Sequence, residues 1–199
     1  MLTLYSHDSP NVDKVRIALH ELGVAFREED VDLEKKQQTD ERFLAINPNG
    51  RIPAVNDEGV VIWESGAILL HLALKHGALL PGAADRRASA LQAVFLESSA
   101  LSPIIGGYGL VGQLSLPEAE RNGARIGQLQ KELARLVRVV DRMLGDREYF
   151  ATEFSIGDIQ LYPVLAKAAK FGLFTPTPAI GGWLARMQAR PSVRKAMPT

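Results

Sequence analysis

Hydrophobic and polar positions recur with a strand period and a helix period in turn along the first part of the chain. Leu2 to Ser6 reads as a buried strand that leads into a polar loop. From Pro10, apolar residues recur every three or four positions until Gly23, which is typical of a helix with a defined start and end. A second strand after this helix would complete a parallel β-α-β unit, because parallel strands need a crossover connection. The predicted elements, in the order β-α-β-α-β-β-α, are strands over 2–6, 25–31 and 54–56, a second hairpin strand, and helices over 10–22, 41–46 and 65–76.

Beyond these elements the pattern changes to helix only. A segment with two glycines and a proline marks the change and predicts a domain boundary. The run FSIGD at 154–158 reads as a helix N-cap followed three residues later by an acid, which is the pattern of a capping box and predicts a structural role for Asp158. The helices expected here run over 86–101, 117–144, 156–171, 179–188 and 192–197. The predicted domains are a first domain over 1–77, a linker over 78–85 and an all-helical domain over 86–199.

The stretch 47–66, NPNGRIPAVNDEGVVIWESG, has the most specific local pattern in the chain. Pro53 cannot donate a hydrogen bond to a sheet, so a proline directly before the strand 54–56 predicts an edge strand. The N–H and C=O groups of Ile52 would then face outward, where an extended peptide can pair with them. A cis bond between Ile52 and Pro53 would fix that orientation, and proline makes such a bond accessible.

Glu64 and Ser65 stand where the second hairpin strand is expected to end and the next helix to begin. Ser65 is a suitable N-cap, and the N–H groups of the first helical turn favour an anion. A carboxylate at Glu64 beside such an anion site suits a ligand that has both an ammonium and a carboxylate group, as the free end of a γ-glutamyl peptide does. The alternative is that Ser65 only caps a helix and Pro53 only shapes a turn.

Composition narrows the classes of protein. The 23 basic and 23 acidic side chains give a formal net charge of +0, so charge gives no reason to expect binding to nucleic acid or to an anionic membrane. The sequence contains no cysteine, which excludes disulfides, thiolate metal sites and a cysteine nucleophile. No signal peptide and no apolar segment of transmembrane length are expected, so a soluble cytoplasmic protein is the default.

The strings NPNGRIPAV, WESGAI and FSIGD, in a β-α-β-α-β-β-α unit joined to a helical half, resemble the soluble glutathione transferases over essentially the whole chain. The resemblance implies an α/β thioredoxin-like N-terminal domain plus an all-α C-terminal domain, and usually a homodimer. It implies glutathione as co-substrate, with no metal and no nucleotide. The second substrate would be a small electrophile or disulfide.

The same resemblance implies roles for individual residues. Ile52, before a cis Pro53, would pair its backbone with the cysteinyl unit of glutathione. Glu64 and Ser65 would hold the γ-glutamyl end. The residues Gln38 and Arg51 lie where the family often contacts the glycyl or neighbouring part of the tripeptide. The implied glutathione-binding set is Gln38, Arg51, Ile52, Pro53, Glu64 and Ser65.

The implied catalytic residues lie at the start of the first helix. Ser9-Pro10-Asn11 is similar to the Thr-Pro-Asn loop of the bacterial nu class. A free thiol has a pKa of ~8.5, and a hydroxyl donor at a helix N-terminus can lower that value. Ser9 would therefore hydrogen-bond to the sulfur of glutathione, with Asn11 as a second donor. Because the sequence has no cysteine, all sulfur chemistry would come from bound thiols, either by attack on an electrophile or by reduction of a disulfide with two glutathione molecules.

Other residues admit competing interpretations. Tyr5 could be claimed as a sulfur-binding tyrosine, although it is better read as a packed strand residue. The glycines over 107–112 match G-x-G-x-x-G without the strand that a dinucleotide site requires, so a kinked helix is expected, with Tyr108 lining the second-substrate pocket. His7 adjoins the predicted catalytic loop, where it could modulate the loop, and it is assigned with Tyr108 to the second-substrate pocket; the alternative is a solvated loop histidine. The four histidines show no spacing typical of metal ligands.

The function expected from all of this is that of a glutathione-dependent transferase suited to detoxification. It would stabilise bound glutathione thiolate and attack electrophilic or disulfide substrates, with transferase and disulfide reductase both left open. The alternative of another class is a non-catalytic glutathione-transferase-like module for ligand binding or interaction.

Overall fold

The computed structural model describes residues 1–198 and divides into two compact units. The first comprises Met1–Leu80 together with the segment from Ala189 onward, and the second is Pro81–Gln188. The strands are β1 (Leu2–Ser6), β2 (Phe26–Asp30), β3 (Ala54–Asp57) and β4 (Val60–Trp63). The helices are α1 (Pro10–Glu21), α2 (Glu41–Leu44), α3 (Ser65–His76), α4 (Ala84–Leu96), α5 (Ser102–Ile105), α6 (Leu110–Ser115), α7 (Gly123–Leu144), α8 (Ile156–Lys170), α9 (Pro178–Gln188) and α10 (Pro191–Ala196).

The first unit is built on a four-stranded mixed sheet in the order β2-β1-β3-β4. β1 runs parallel to β2 and antiparallel to β3, and β3 runs antiparallel to β4. β3 is therefore an interior strand, and the expectation that Pro53 marks a sheet edge is wrong. Pro53 stands one residue before the first residue of β3, where the ladder has already ended, so its missing N–H removes no sheet hydrogen bond.

The C-terminal segment belongs to the first unit, whereas the sequence pattern had grouped it with the helical domain. The physical reason is a carboxylate at the end of α1. Glu21 accepts hydrogen bonds from the guanidinium of Arg190 and, at 2.6 Å, from the hydroxyl of Ser192. Helical periodicity cannot reveal such a partner, because the two ends of this contact lie about 170 residues apart in sequence.

Helices α4 and α5 form one helical run that is joined by a π-helical turn over Glu97–Leu101. Glycines follow the end of this run. Two of these positions require glycine, because a Cβ on Gly109 would overlap the carbonyl oxygen of Ile104 and a Cβ on Gly112 would overlap the carbonyl oxygen of Gly107. The glycine-rich stretch is thus a close backbone packing at a helix kink, as expected, and no strand precedes it. The helix α7 begins at Gly123 rather than at residue 117, because Asn122 caps it by accepting from the N–H of Arg125 at 2.9 Å.

One stretch contradicts a compositional expectation. Ala84–Ser115 is long and apolar enough to cross a membrane by length and composition, although no segment of that kind was expected. Core helices of soluble proteins meet the same criterion, and 33% of this window is buried. The run also contains Glu97, whose side chain is only 1% exposed and which accepts from the amide of Gln160 at 2.5 Å.

The capping box at the start of α8 is formed as the sequence indicates. Ser155 caps the helix by accepting from the N–H of Gly157 at 3.2 Å, and its own N–H donates to Asp158 at 3.1 Å. Asp158 is fully buried and also accepts from the indole N–H of Trp183 at 3.0 Å and from the N–H of Phe150 at 3.2 Å. Burial raises the pKa of Asp158 to about 6, against these donors, which lower it. Asp158 therefore ties three segments of the second unit together.

Replacing Asp158 with Asn keeps the volume of the side chain but puts an NH₂ in place of one carboxylate oxygen, opposite a backbone or indole N–H that can only donate. We expect the free energy of unfolding to fall by about 2–4 kcal/mol, because buried donors lose their acceptor. Urea unfolding measures this, with Asp146→Asn as the matched exposed control, expected within about 0.5 kcal/mol of wild type. Equal stabilities of the two variants would contradict the structural role.

The variant Asp158→Asn also tests the titration of Asp158. Its folded pKa of about 6 lies above its unfolded value, so the folded state binds the extra proton between about pH 4 and 6. The stability due to this proton is fully present below that range and is lost as the pH rises through 6. We expect the stability difference between wild type and Asp158→Asn, measured by urea unfolding, to become smaller over that range.

Candidate functional site

Three loops meet at one end of the sheet in the first unit. In the ladder, Tyr5 pairs with Ala54, and Ala54 pairs with Trp63. The loop that follows β1, the Ile52–Pro53 step that precedes β3 and the turn that follows β4 must therefore lie side by side, because each begins within one or two residues of these paired positions. The register brings together at this end most of the residues that the sequence singled out.

A buried asparagine that sequence reasoning missed organises the loop before β3. Asn47 is 1% exposed, its amide donates to the carbonyl of Arg51 at 2.5 Å, and its side-chain oxygen accepts from the N–H of Asn49 at 2.9 Å. Its own carbonyl accepts from the N–H of Gly50, also at 2.9 Å. The available signal was an asparagine at the first position of the turn Asn-Pro-Asn-Gly, which is where such side chains bond to the backbone that follows.

The step between Ile52 and Pro53 is a cis peptide bond, as expected. Ile52 is half-buried and packs against the apolar cluster that contains Tyr5 and Phe43. Although β3 is an interior strand, Ile52 lies beyond its end, and no hydrogen bond to the N–H or C=O of Ile52 is found within residues 1–198. Both groups are therefore available to an extended ligand, for a different reason from the edge position that the sequence suggested.

Glu64, rather than Ser65, is the N-cap of α3, so the predicted cap is shifted by one residue. Glu64 has φ +71 and ψ 118, which for a residue with a Cβ costs on the order of 1–3 kcal/mol. Its carboxylate is exposed and lies 3.4 Å from the side-chain amide of Asn49. Ser65 is buried as the first helical residue, and the N–H groups of Gly66 and Ala67 in the same turn have no acceptor within the helix. A carboxylate thus stands beside a helix N-terminus, where free N–H groups favour an anion.

The start of α1 brings together Ser9 and Asn11. Ser9 caps the helix by accepting from the N–H of Asn11 at 3.2 Å, which uses a lone pair and leaves the hydroxyl hydrogen able to donate elsewhere. The side-chain oxygen of Asn11 accepts from the ammonium of Lys14 at 2.7 Å. Sequence reasoning missed Lys14, because a lysine on an amphipathic helix is ordinarily exposed, whereas this one is 0% exposed.

His7 pairs with Asp30 at the end of β2, with 2.9 Å between the ring Nδ1 and the carboxylate. The hydrogen bond to Asp30 is the largest cause that raises the pKa of His7 above its ordinary value, and the charge of that carboxylate acts in the same direction. A larger fraction of His7 is therefore protonated at neutral pH than of a free histidine. His7 lies two residues before Ser9 in the sequence.

Of the remaining predicted residues, Gln38 and Arg51 lie in the first unit and Tyr108 lies in the second. Gln38 lies in the 3₁₀ turn Gln37–Thr39, beside Gly50, whose Cβ would stand 3.1 Å from the Gln38 carbonyl oxygen. The side-chain oxygen of Gln38 is buried without a hydrogen-bond partner within the part of the chain that the structure describes. Arg51 is exposed in the adjoining loop. Tyr108 belongs to the second unit and is 79% exposed.

A separate cavity of about 250 Å³ lies in the first unit. Its lining includes Tyr5, Asp30, Gln37 and Arg42, but none of the predicted binding residues. The predicted binding residues therefore lie outside the lining of this cavity. Within residues 1–198 no group of three or more histidine and carboxylate side chains could hold a metal ion.

Comparison with known proteins identifies the family. The glutathione S-transferase N-terminal domain model matches residues 1–74. The chain is 33% identical to the glutathione S-transferase GstB of Escherichia coli K12 over 204 residues, which is 99% of this chain and 98% of GstB. It is 32% identical to the disulfide-bond oxidoreductase YfcG of the same organism over 209 residues, or 99% of this chain and 94% of YfcG.

A glutathione transferase from Pseudomonas putida has been solved with one glutathione disulfide bound per subunit. That structure matches this chain with a TM-score of 0.88 and 30% identity, and the match covers 100% of this chain and 92% of the other. The chain belongs to the glutathione S-transferase family. The expected fold class, a thioredoxin-like α/β domain followed by an all-α domain, is confirmed.

The loop before β3 should depend on Asn47. Replacing Asn47 with Ala removes two side-chain hydrogen bonds from a buried position, so we expect the free energy of unfolding to fall by about 2–3 kcal/mol. The N–H of Gly50 should also exchange faster with solvent. Urea unfolding and amide hydrogen exchange measure the two effects. Asn49→Ala, at an exposed position of the same loop, is the control, and an equal effect in both variants would refute the organising role of Asn47.

Proposed function

We propose that this chain is a glutathione-dependent enzyme that holds the tripeptide across the converging strand ends and stabilises its thiolate for attack on an electrophile or a disulfide. The observation that carries the proposal is the register that sets the loop after β1, the Ile52–Pro53 step and Glu64 side by side. An extended peptide with a charged head needs these three features together: a donor for its reactive group, backbone for pairing and a site for its charges.

Binding of the tripeptide follows from the chemistry of each group. The N–H and C=O of Ile52, beyond the end of β3, would pair with the cysteinyl unit. The Glu64 carboxylate would accept from the γ-glutamyl ammonium, and Ser65 with the first turn of α3 would hold its carboxylate, since a helix N-terminus favours an anion. The buried side-chain oxygen of Gln38 offers an acceptor to a ligand N–H, and Arg51 would attract the glycyl carboxylate.

The thiol would be ionised at the start of α1. The Ser9 hydroxyl can donate to sulfur from a helix N-terminus, and the Asn11 amide is a second donor. Each donor stabilises the thiolate more than the thiol, so the thiol pKa should fall below its free value of ~8.5. The protonated fraction of His7 adds a positive charge near this loop. We also propose that the Ser-Pro-Asn loop is of the nu-class type.

Two reactions are open to such a thiolate. With an electrophile, a carbon–sulfur bond forms as the leaving group departs or the carbanion is protonated. With a disulfide, the thiolate forms a mixed disulfide and releases one thiolate; a second glutathione then releases the other and yields glutathione disulfide, so two glutathione molecules supply the two electrons. The chain has no cysteine, so every reacting sulfur belongs to a ligand. GstB supports the transferase, and YfcG and the disulfide-bound relative support the reductase.

Replacing Ser9 with Ala should raise the pKa of the thiol of bound glutathione by about 1–2 units and lower kcat/KM near pH 7 by about 10–100-fold. The affinity for glutathione should change little. Ultraviolet absorbance of the thiolate against pH, and turnover of a chromogenic electrophile and of a small disulfide, measure these effects. The companion variant Glu64→Gln should weaken retention on immobilised glutathione instead. Wild-type protein that binds no glutathione would refute the proposal, and binding without either turnover would favour a non-catalytic module.

We propose further that the enzyme is a cytoplasmic homodimer, as is usual in this family. Support comes from apolar side chains that the first unit leaves exposed. Val60 and Val61 on the edge strand β4 are 55% and 43% exposed, Trp63 is 38% exposed, and Leu74 on α3 is 66% exposed. An unpaired edge strand with exposed apolar residues is a surface that soluble proteins ordinarily cover.

Charged substitutions should separate the subunits. We expect Val61→Glu with Leu74→Glu to give a monomer in sedimentation velocity at a concentration where wild type is a dimer, because two carboxylates cannot be buried unpaired. Phe171→Glu replaces an equally exposed apolar residue of the second unit and should leave the dimer intact. A wild-type monomer, or a dimer in both variants, would contradict the proposed interface.

A further inference from the structure

Lys14 is an unusual residue in the first turns of α1. Its side chain is 0% exposed, although lysine is almost never fully buried unless it is paired. It stands three residues after Asn11, so the two side chains lie on the same face of the helix. The ammonium Nζ lies 2.7 Å from the side-chain oxygen of Asn11, which is a good distance for a charge-assisted hydrogen bond.

This contact fixes the direction of the Asn11 amide. A carboxamide has an accepting oxygen on one side and a donating NH₂ on the other, and either could face a neighbour. An ammonium has only donors, so the group of Asn11 that faces Lys14 must be the oxygen. The NH₂ of Asn11 is thereby turned away from Lys14. Without the ammonium, the amide could rotate and turn its oxygen towards the thiolate of bound glutathione. The partial negative charge of that oxygen would repel the thiolate.

We propose that Lys14 is a positioning residue that holds the Asn11 amide with its NH₂ presented to the sulfur of bound glutathione. The inference rests on the proposed function and adds to it a residue that does not touch the ligand. A positive partner on the oxygen also polarises the amide, which strengthens its N–H donors. Ser9 and Lys14 would thus act on the same anion, one by donating to it and the other by keeping a second donor in the correct orientation.

The next cation of the helix provides a matched comparison. Arg16 donates to Glu28 at 2.7 Å and to Asp13 at 3.2 Å, and it makes no hydrogen bond to Asn11 among the described residues. Removing its charge takes one positive charge from the same helix without releasing the Asn11 amide. Arg16→Met is therefore the control for Lys14→Met, and Lys14→Arg tests whether a different cation restores the function.

The experiment measures the pKa of the thiol of bound glutathione from thiolate absorbance, together with KM and kcat. We expect Lys14→Met to raise that pKa by about one unit and to lower kcat about tenfold at pH 6.5, with KM for glutathione changed less than threefold. Lys14→Arg should recover most of the loss, and Arg16→Met should leave the thiol pKa unchanged. In an Asn11→Ala background, Lys14→Met should have less than a twofold further effect on kcat, because the amide it positions is absent.

Two results would overturn the proposal. One is an unchanged thiol pKa in Lys14→Met. The other is an equal effect of Lys14→Met with and without Asn11, which would mean that the charge acts on the sulfur directly. If wild type binds glutathione and Ser9→Ala raises the thiol pKa while Lys14→Met does not, only the role of Lys14 fails. If wild type binds no glutathione, both proposals fail.

A further measurement tests the orientation of the Asn11 amide in the wild-type protein. It can be made even if Lys14→Met does not fold. The side-chain NH₂ signals of Asn11, identified in ¹⁵N spectra by their loss in Asn11→Ala, should shift when glutathione is added to folded wild type. They should shift less with S-methylglutathione, which cannot form a thiolate. Equal shifts with both ligands, or no shift with either, would refute the orientation proposed for the amide.

Discussion

The pairing of β3 with both β1 and β4 is the constraint on which the rest of this structure depends. Because one short strand is hydrogen-bonded on both sides, its first residue sets the level of the two neighbouring strand ends. Ser9 lies more than 40 residues before Ile52 and Glu64 in the sequence, and the ladder brings the loops of all three residues to one end of the sheet. The chemistry of the site therefore depends on strand register, since a shift of one residue would also turn every side chain of β3 to the other face.

The sequence was sufficient for much of the fold because the first unit obeys simple periodicity. The helix 65–76 was predicted with its observed bounds, although its N-cap is Glu64 and not Ser65, and the capping box at 155–158 was predicted from its local start signal. The edge position of Pro53 was predicted wrongly. The missing N–H of proline is compatible with an edge strand and equally with a position just outside an interior strand, and the sequence does not distinguish the two. The position of the last helix depends on a contact between Glu21 and Arg190, and no local pattern encodes a partner that far away.

The parts of the site that sequence reasoning missed share one property, which is that they are polar and buried. Asn47 and Lys14 look like ordinary surface residues in the sequence, yet both are almost fully enclosed. Their hydrogen bonds have a direction, and each fixes a neighbouring group that a ligand could use: the loop before Ile52 in one case, the amide of Asn11 in the other. In the second unit, Asp158 similarly holds two backbone N–H groups and the indole of Trp183, without any part in the proposed ligand site. Burial alone thus does not distinguish a structural polar residue from one that prepares a binding site.

The positive φ angle of Glu64 makes backbone stability and the presence of a carboxylate compete at this position. Glycine would adopt φ +71 without a clash, so a search for thermostable variants should favour it at this position. A glycine has no carboxylate, however, and could offer nothing to an ammonium group. If Glu64 binds the ammonium group as proposed, a glycine at this position would remove the backbone strain and the binding group together.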